Sequence, residues 1–133
     1  MTDRVAFVQI VSTAINLNKT CVIAPATLDD GSIALRIDTL DSRIYEVYIS
    51  EKERDDAFEK LKAKVCAVLA PFWFIPLRDV LFNLEHIEAM SPAWAEGYPA
   101  IRVMIGGEQY HVIYPTSEYR DKALHQILCR ITQ

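Results

Sequence analysis

Between Ile33 and Asp38 the side chains alternate: Ile33, Leu35 and Ile37 fall on one face, Ala34, Arg36 and Asp38 on the other. A period of two predicts a half-buried strand. Ile101, Val103 and Ile105, set against Arg102 and Met104, repeat the pattern. A partner strand is expected after each, turning Tyr45, Val47 and Ile49, or Tyr110, Val112 and Tyr114, inward. The segment Asp29-Asp30-Gly31-Ser32 and the pair Gly106-Gly107 stand where hairpin turns are needed, and glycine accepts the positive φ of such turns.

The period then lengthens. Ala57, Phe58, Leu61, Val65 and Val68 recur at helical spacing, as do Ala123, Leu124, Ile127 and Ile131. Ser50 and Glu53 read as a capping box at the first helix, and Thr116 or Ser117 caps the second. Pro71 keeps the first helix from running far beyond it.

These patterns occur twice in the same order. The stretch VLFNLEHIEAMSPA (Val80 to Ala93) restates TAINLNKTCVIAPA (Thr13 to Ala26). At an offset of 67, Phe7 meets Phe74, Ile15 meets Phe82, Asn16 meets Asn83, Leu17 meets Leu84, Pro25 meets Pro92 and Ala26 meets Ala93. An offset of 68 then sets Ile33, Leu35 and Ile37 on Ile101, Val103 and Ile105. A shorter second hairpin changes the offset again, setting Val47 on Val112 and Arg54, Asp55 and Ala57 on Arg120, Asp121 and Ala123.

The expected fold is α+β, a tandem duplication of a ββββα module. Each antiparallel sheet carries one C-terminal helix, and the two copies are related by a pseudo-two-fold axis. Residues 1–133 would form one compact domain of two repeats, about 4–70 and 71–131. Asp79 to Met90 allows two readings. Val80, Leu81, Leu84 and Ile87 fit a helical face, but the β-branched residues of the matching NKTCVI favour a short helical turn leading into a strand. A lone module would leave Ile44 and Tyr48, or Met104 and Ile113, on an uncovered outer face. The second copy would supply the missing layer.

Composition narrows the function classes. Hydrophobic residues make up 51% and charged residues 24% of the 133, the balance of a globular chain. With 14 basic against 18 acidic residues and a net charge of −4, nucleic-acid binding is disfavoured. Cys21, Cys66 and Cys129 are far apart with no CxxC pair, so neither a disulfide framework nor a zinc site is expected. The longest apolar run, Val65 to Leu77, is too short to span a bilayer and contains Pro71 and Pro76. No signal peptide is recognised at the start of the chain. A cytoplasmic protein with no membrane partner is the expectation.

Catalytic signatures are missing from the pattern. Four glycines form no phosphate loop, and no GxSxG elbow occurs. His86, His111 and His125 lie in three different elements with no convergent spacing, so no catalytic residue, metal or cofactor is assigned. His125 lies four residues after Asp121 and can pair with it on a helix surface. Asn16 and Asn83 read as turn amides bonding local backbone. Glu51, Glu53, Asp55 and Asp56 suit a solvated helix start.

Aromatic residues carry the strongest binding signal. Trp94 and Tyr98 are expected within a Pro- and Gly-containing loop between two strands, SPAWAEGYPA (Ser91 to Ala100), and suit partner anchoring. Alternation of Phe72, Trp73 and Phe74 turns Trp73 away from its neighbours, and Arg102 and His111 project from strand faces. The leading expectation is a non-catalytic protein-binding or regulatory protein, inhibitor- or immunity-like, acting through a sheet face, an edge strand or the aromatic loop. Homo-oligomerisation is compatible with it. The alternative is a binder of a metabolite or nucleotide, with a pocket at the repeat or subunit interface near Arg102, Tyr110 and His111. An enzyme using His111 or His86 as general base is the third reading.

Overall fold

The computed structural model describes residues 7–10, 13–68 and 74–131. Trp73, with Pro71 and Phe72, lies outside the described residues, as do the side chains of Cys66, Val68 and Ile131. The fold is α+β, with antiparallel strand pairing and two helices. Chain contacts separate it into a unit ending at Glu85 and a unit beginning at His86.

The first unit contains β1 (Phe7–Ile10), β2 (Thr13–Asn16), a 3-10 turn (Leu17–Lys19), β3 (Thr20–Thr27), β4 (Ile33–Thr39), β5 (Arg43–Tyr48), α1 (Glu51–Val68), β6 (Phe74–Leu77) and β7 (Val80–Asn83). Its main sheet has the order β5-β4-β3-β7-β6, and β1 and β2 form a separate two-stranded ribbon. Phe58, Leu61 and Val65 of α1 pack in one cluster with Ile23, Leu35, Ile37, Leu81, Phe74, Leu17 and Ile15. The opposite faces of β3, β4, β6 and β7 are buried too, at Val22, Ala34, Ile75 and Phe82. Ser50 starts α1 by accepting the Glu53 N–H at 3.2 Å.

The second unit contains β8 (Ile87–Ala95), β9 (Tyr98–Ile105), β10 (Glu108–Ile113) and α2 (Ser117–Ile131), after a 3-10 turn at Leu84–His86. Its sheet order is β10-β9-β8. Glu96 and Gly97 close the first hairpin and Gly106 and Gly107 the second, all four at positive φ, as tight turns between twisted strands require. Thr116 caps α2 by accepting the Tyr119 N–H at 3.2 Å. Ile101, Val103, Ile105, Val112, Leu124 and Ile127 are buried.

Two sequence expectations change. The segment before each Asn-Leu turn is a hairpin, β1-β2 or β6-β7, so five strands precede each helix where the expected ββββα module has four. The Asp79 to Met90 stretch holds a strand, a 3-10 turn and the start of β8, the non-helical alternative.

The second change concerns β5. Tyr45, Val47 and Ile49 are exposed, whereas Ile44 and Tyr48 pack on the core cluster and Glu46 is buried. The cause is hairpin length. Ile37 faces Ile44 across the Leu40-Asp41-Ser42 loop, while Ile105 faces Glu108 directly across Gly106-Gly107. Ile44 therefore matches Glu108 and Val47 matches His111, an offset of 64. A slip of one residue exchanges the faces of a strand.

Candidate partner-binding surfaces

The edge strand β5 presents exposed apolar side chains. Among the described strands its one neighbour is β4. Its outward positions are Tyr45, 40% exposed, and Val47, 58% exposed, and Ile49 just beyond the strand is 90% exposed. Their cross-strand partners set the floor of this surface: Val47 lies opposite the buried Ala34, and Tyr45 lies opposite Arg36.

One end of the strand is fixed by polar contacts. Arg43 Nε donates to Asp38 Oδ1 at 2.7 Å, and Arg36 Nε stands 3.4 Å from Asp38 Oδ2. Thr39 N–H donates to the Ser42 carbonyl at 2.8 Å, and Ser42 N–H to Thr39 Oγ1 at 3.0 Å. These bonds hold the turn that sets the register. The inward face ends at Tyr48, whose buried hydroxyl has no hydrogen-bond partner among the described residues. Burial, with a smaller contribution from the Glu46 carboxylate, pushes the Tyr48 phenol up to about 12.

In the second sheet, Tyr98, Arg102 and His111 share one face, with Arg102 directly opposite His111. All three are exposed, Tyr98 at 55%. Ala89, Ser91, Ala93 and Ala95 continue that face on β8. Trp94 does not join them. It lies opposite Pro99, one position out of phase with the Ala95–Tyr98 pair, and so faces the other side of the hairpin. There the Arg120 guanidinium of α2 stands 5.7 Å from its ring centroid, a cation–π contact, and Trp94 remains 65% exposed. The stretch expected as a loop presenting two aromatic anchors together is instead a tight hairpin, with Trp94 on β8 and Tyr98 on β9, and it splits them between two faces.

The remaining chemistry-bearing side chains stay dispersed. Among the described residues no three His, Cys, Asp or Glu side chains are grouped to hold a metal. His125 Nε2 lies 3.5 Å from Cys129 Sγ, and Asp121 accepts from Arg120 instead of pairing with His125. Asn16 and Asn83 each accept a local backbone N–H at 3.0 Å, from Asn18 and Glu85. No described helix is long and apolar enough to cross a membrane.

Sequence reasoning missed Tyr45, Val47 and Ile49 as surface residues because it placed them in the core. No signal in the sequence alone could have found them, because the phase of β5 depends on where it pairs with β4. Comparison with protein-family models, curated proteins and solved structures gave no match.

Proposed function

We propose that this chain is a non-catalytic protein-binding module, built as a tandem duplication, that engages a partner protein through the outward face and free edge of β5. Support for the duplication comes from details beyond element order. The order ββ, 3-10 turn, βββα occurs twice. Arg54 and Arg120 each donate to a strand carbonyl, of Ala26 and Ala93, and each pairs with the next residue, Asp55 and Asp121. Ser50 and Thr116 cap the two helices alike.

One comparison carries the binding reading. Tyr45 and Val47 occupy the register positions that Gln109 and His111 occupy in the second sheet. All four side chains are exposed. The second sheet is built with polar residues there, so the architecture does not require apolar ones. A tyrosine and a valine exposed on an edge strand are a ready template for another strand and are usually covered. Addition of an extended, apolar-faced segment of a partner would pair the free backbone groups and cover both side chains.

The test replaces Tyr45→Gln and Val47→His together in the full chain, importing the second sheet's own residues. A partner isolated from host lysate on the wild-type chain should bind the variant at least tenfold more weakly, with the melting temperature unchanged. Unchanged affinity would reject the β5 surface. Loss of binding in Tyr98→Ala with Arg102→Ala instead would move the site to the second sheet.

A further inference from the structure

We propose that His125 and Cys129 of α2 form a chelate for a zinc ion, with the imidazole Nε2 and a thiolate as its two protein ligands. The site rests on no part of the β5 surface or of the partner-binding reading. The two residues are four apart on one helix, so their side chains lie one above the other on the same face. That face is not the buried stripe of Leu124 and Ile127, for His125 and Cys129 are both exposed. Their ligating atoms converge, with Nε2 3.5 Å from Sγ.

This separation matches the geometry of the ion. Zinc stands about 2.3 Å from sulfur and about 2.0 Å from nitrogen, and at the tetrahedral angle these bonds set the two donors about 3.5 Å apart. The pair therefore accepts the ion with no change in the spacing of its donors. On binding, zinc displaces the thiol proton to solvent and takes the Nε2 lone pair, and the ring proton resides on Nδ1. Among the described residues no third His, Cys, Asp or Glu is grouped with them, and Asp121, one turn earlier, is engaged by Arg120. Water fills the remaining positions, so the site is open and exchangeable, unlike a closed structural centre.

Thiolate and imidazole together select zinc over magnesium and calcium, which take oxygen ligands. The helix selects in the same direction. Cys129 lies in the last turn of α2, which ends at Ile131. There the negative end of the helix dipole opposes a bare thiolate and favours a zinc–thiolate–imidazole unit, whose net charge is positive. A metal ligand fits this place better than a reactive thiol.

The test strips the reduced full chain of metal with a chelator and titrates zinc against a chromophoric indicator. Cys21 and Cys66 stay in place throughout, so differences between variants belong to the substituted position. The chain should take up one equivalent of zinc, and Cys129→Ser and His125→Gln should each weaken uptake at least tenfold. Both side chains are exposed, so neither change should move the melting temperature of the metal-free chain. Added zinc should raise that temperature in the wild type and not in these two variants. Cobalt(II), used as a spectroscopic probe, should give a thiolate-to-metal charge-transfer band that Cys129→Ser removes. Cys129→His should restore zinc uptake without the band, since two imidazoles at this helical spacing also chelate. A wild-type chain that takes up no zinc would overturn the proposal, as would unchanged zinc affinity in His125→Gln. A charge-transfer band that survives in Cys129→Ser would overturn it too, by assigning the metal to Cys21 or Cys66.

Discussion

Arg54 of α1 holds the carbonyl of Ala26, at the far end of β3, through Nη1 at 3.2 Å, and Arg120 of α2 holds Ala93 of β8 in the same way at 2.8 Å. Both guanidiniums are largely buried, and the Nε of each is taken by the aspartate that follows it. Each arginine thus ties the first turn of a helix to a strand next to which it packs. Arg54→Ala and Arg120→Ala should each lower unfolding free energy by about 1.5–3 kcal/mol, the range for a hydrogen bond to a charged group. Arg54→Lys should not restore it, because an ammonium cannot serve two directions from a fixed fork. Denaturant titration measures both effects.

Asn83 is fully buried and uses both ends of its amide. Asn83→Ala leaves the carbonyls of Leu17 and Thr20 without this donor and the Glu85 N–H without its acceptor. The expected cost is about 2–4 kcal/mol, since stranded buried polar groups cost more than the bonds they made. Asn83→Asp should not rescue it, because a carboxylate oxygen would face two carbonyls.

Tyr48 gives a pH signature. Its folded pKa, about 12, lies above the ordinary value of 10. The folded state therefore holds the phenolic proton more tightly than the unfolded state does. This contribution to stability is fully present below pH 10 and is lost as pH rises from 10 toward about 12. Tyr48→Phe should flatten that loss. It should also be neutral or stabilising near neutral pH, because it removes a buried hydroxyl that bonds to nothing among the described residues. Melting curves across pH 8 to 12 for the two proteins supply the check.

The phase of β5 predicts a contrast between two valines. Val47 is exposed and Val112 is buried. Val47→Lys should change stability by no more than about 0.5 kcal/mol. Val112→Lys should cost several-fold more, or prevent folding, by placing a charge in the core beside Ile101. Equal costs at the two sites would contradict the register.

Much of the architecture was legible in the chain because its signals are local. Alternation at Ile33–Asp38 gave β4, the Phe58–Leu61–Val65 spacing gave α1, and Ser50 marked its start. The matched Arg54 and Arg120 were visible as letters before their bonds were known. What stayed hidden depended on counting across a gap. Two residues separate Ile105 from its partner Glu108, whereas six separate Ile37 from its partner Ile44, so the faces of β5 could not be set without the register. The same limit hid the separation of Trp94 from Tyr98, which follows from pairing at Pro99 and Ala95 and from no feature of either aromatic. That β7 lies on β3 was also beyond the sequence, because strands far apart in the chain leave no local mark of their pairing.

The most direct test of the β5 surface is amide hydrogen exchange on the full chain, free and saturated with its captured partner. Binding at this edge should slow exchange at the β5 amides that point away from β4, between Arg43 and Tyr48. Unchanged exchange there, with protection gathered at Tyr98–Ile105 and Glu108–Ile113, would contradict it and assign the partner to the face of Tyr98, Arg102 and His111.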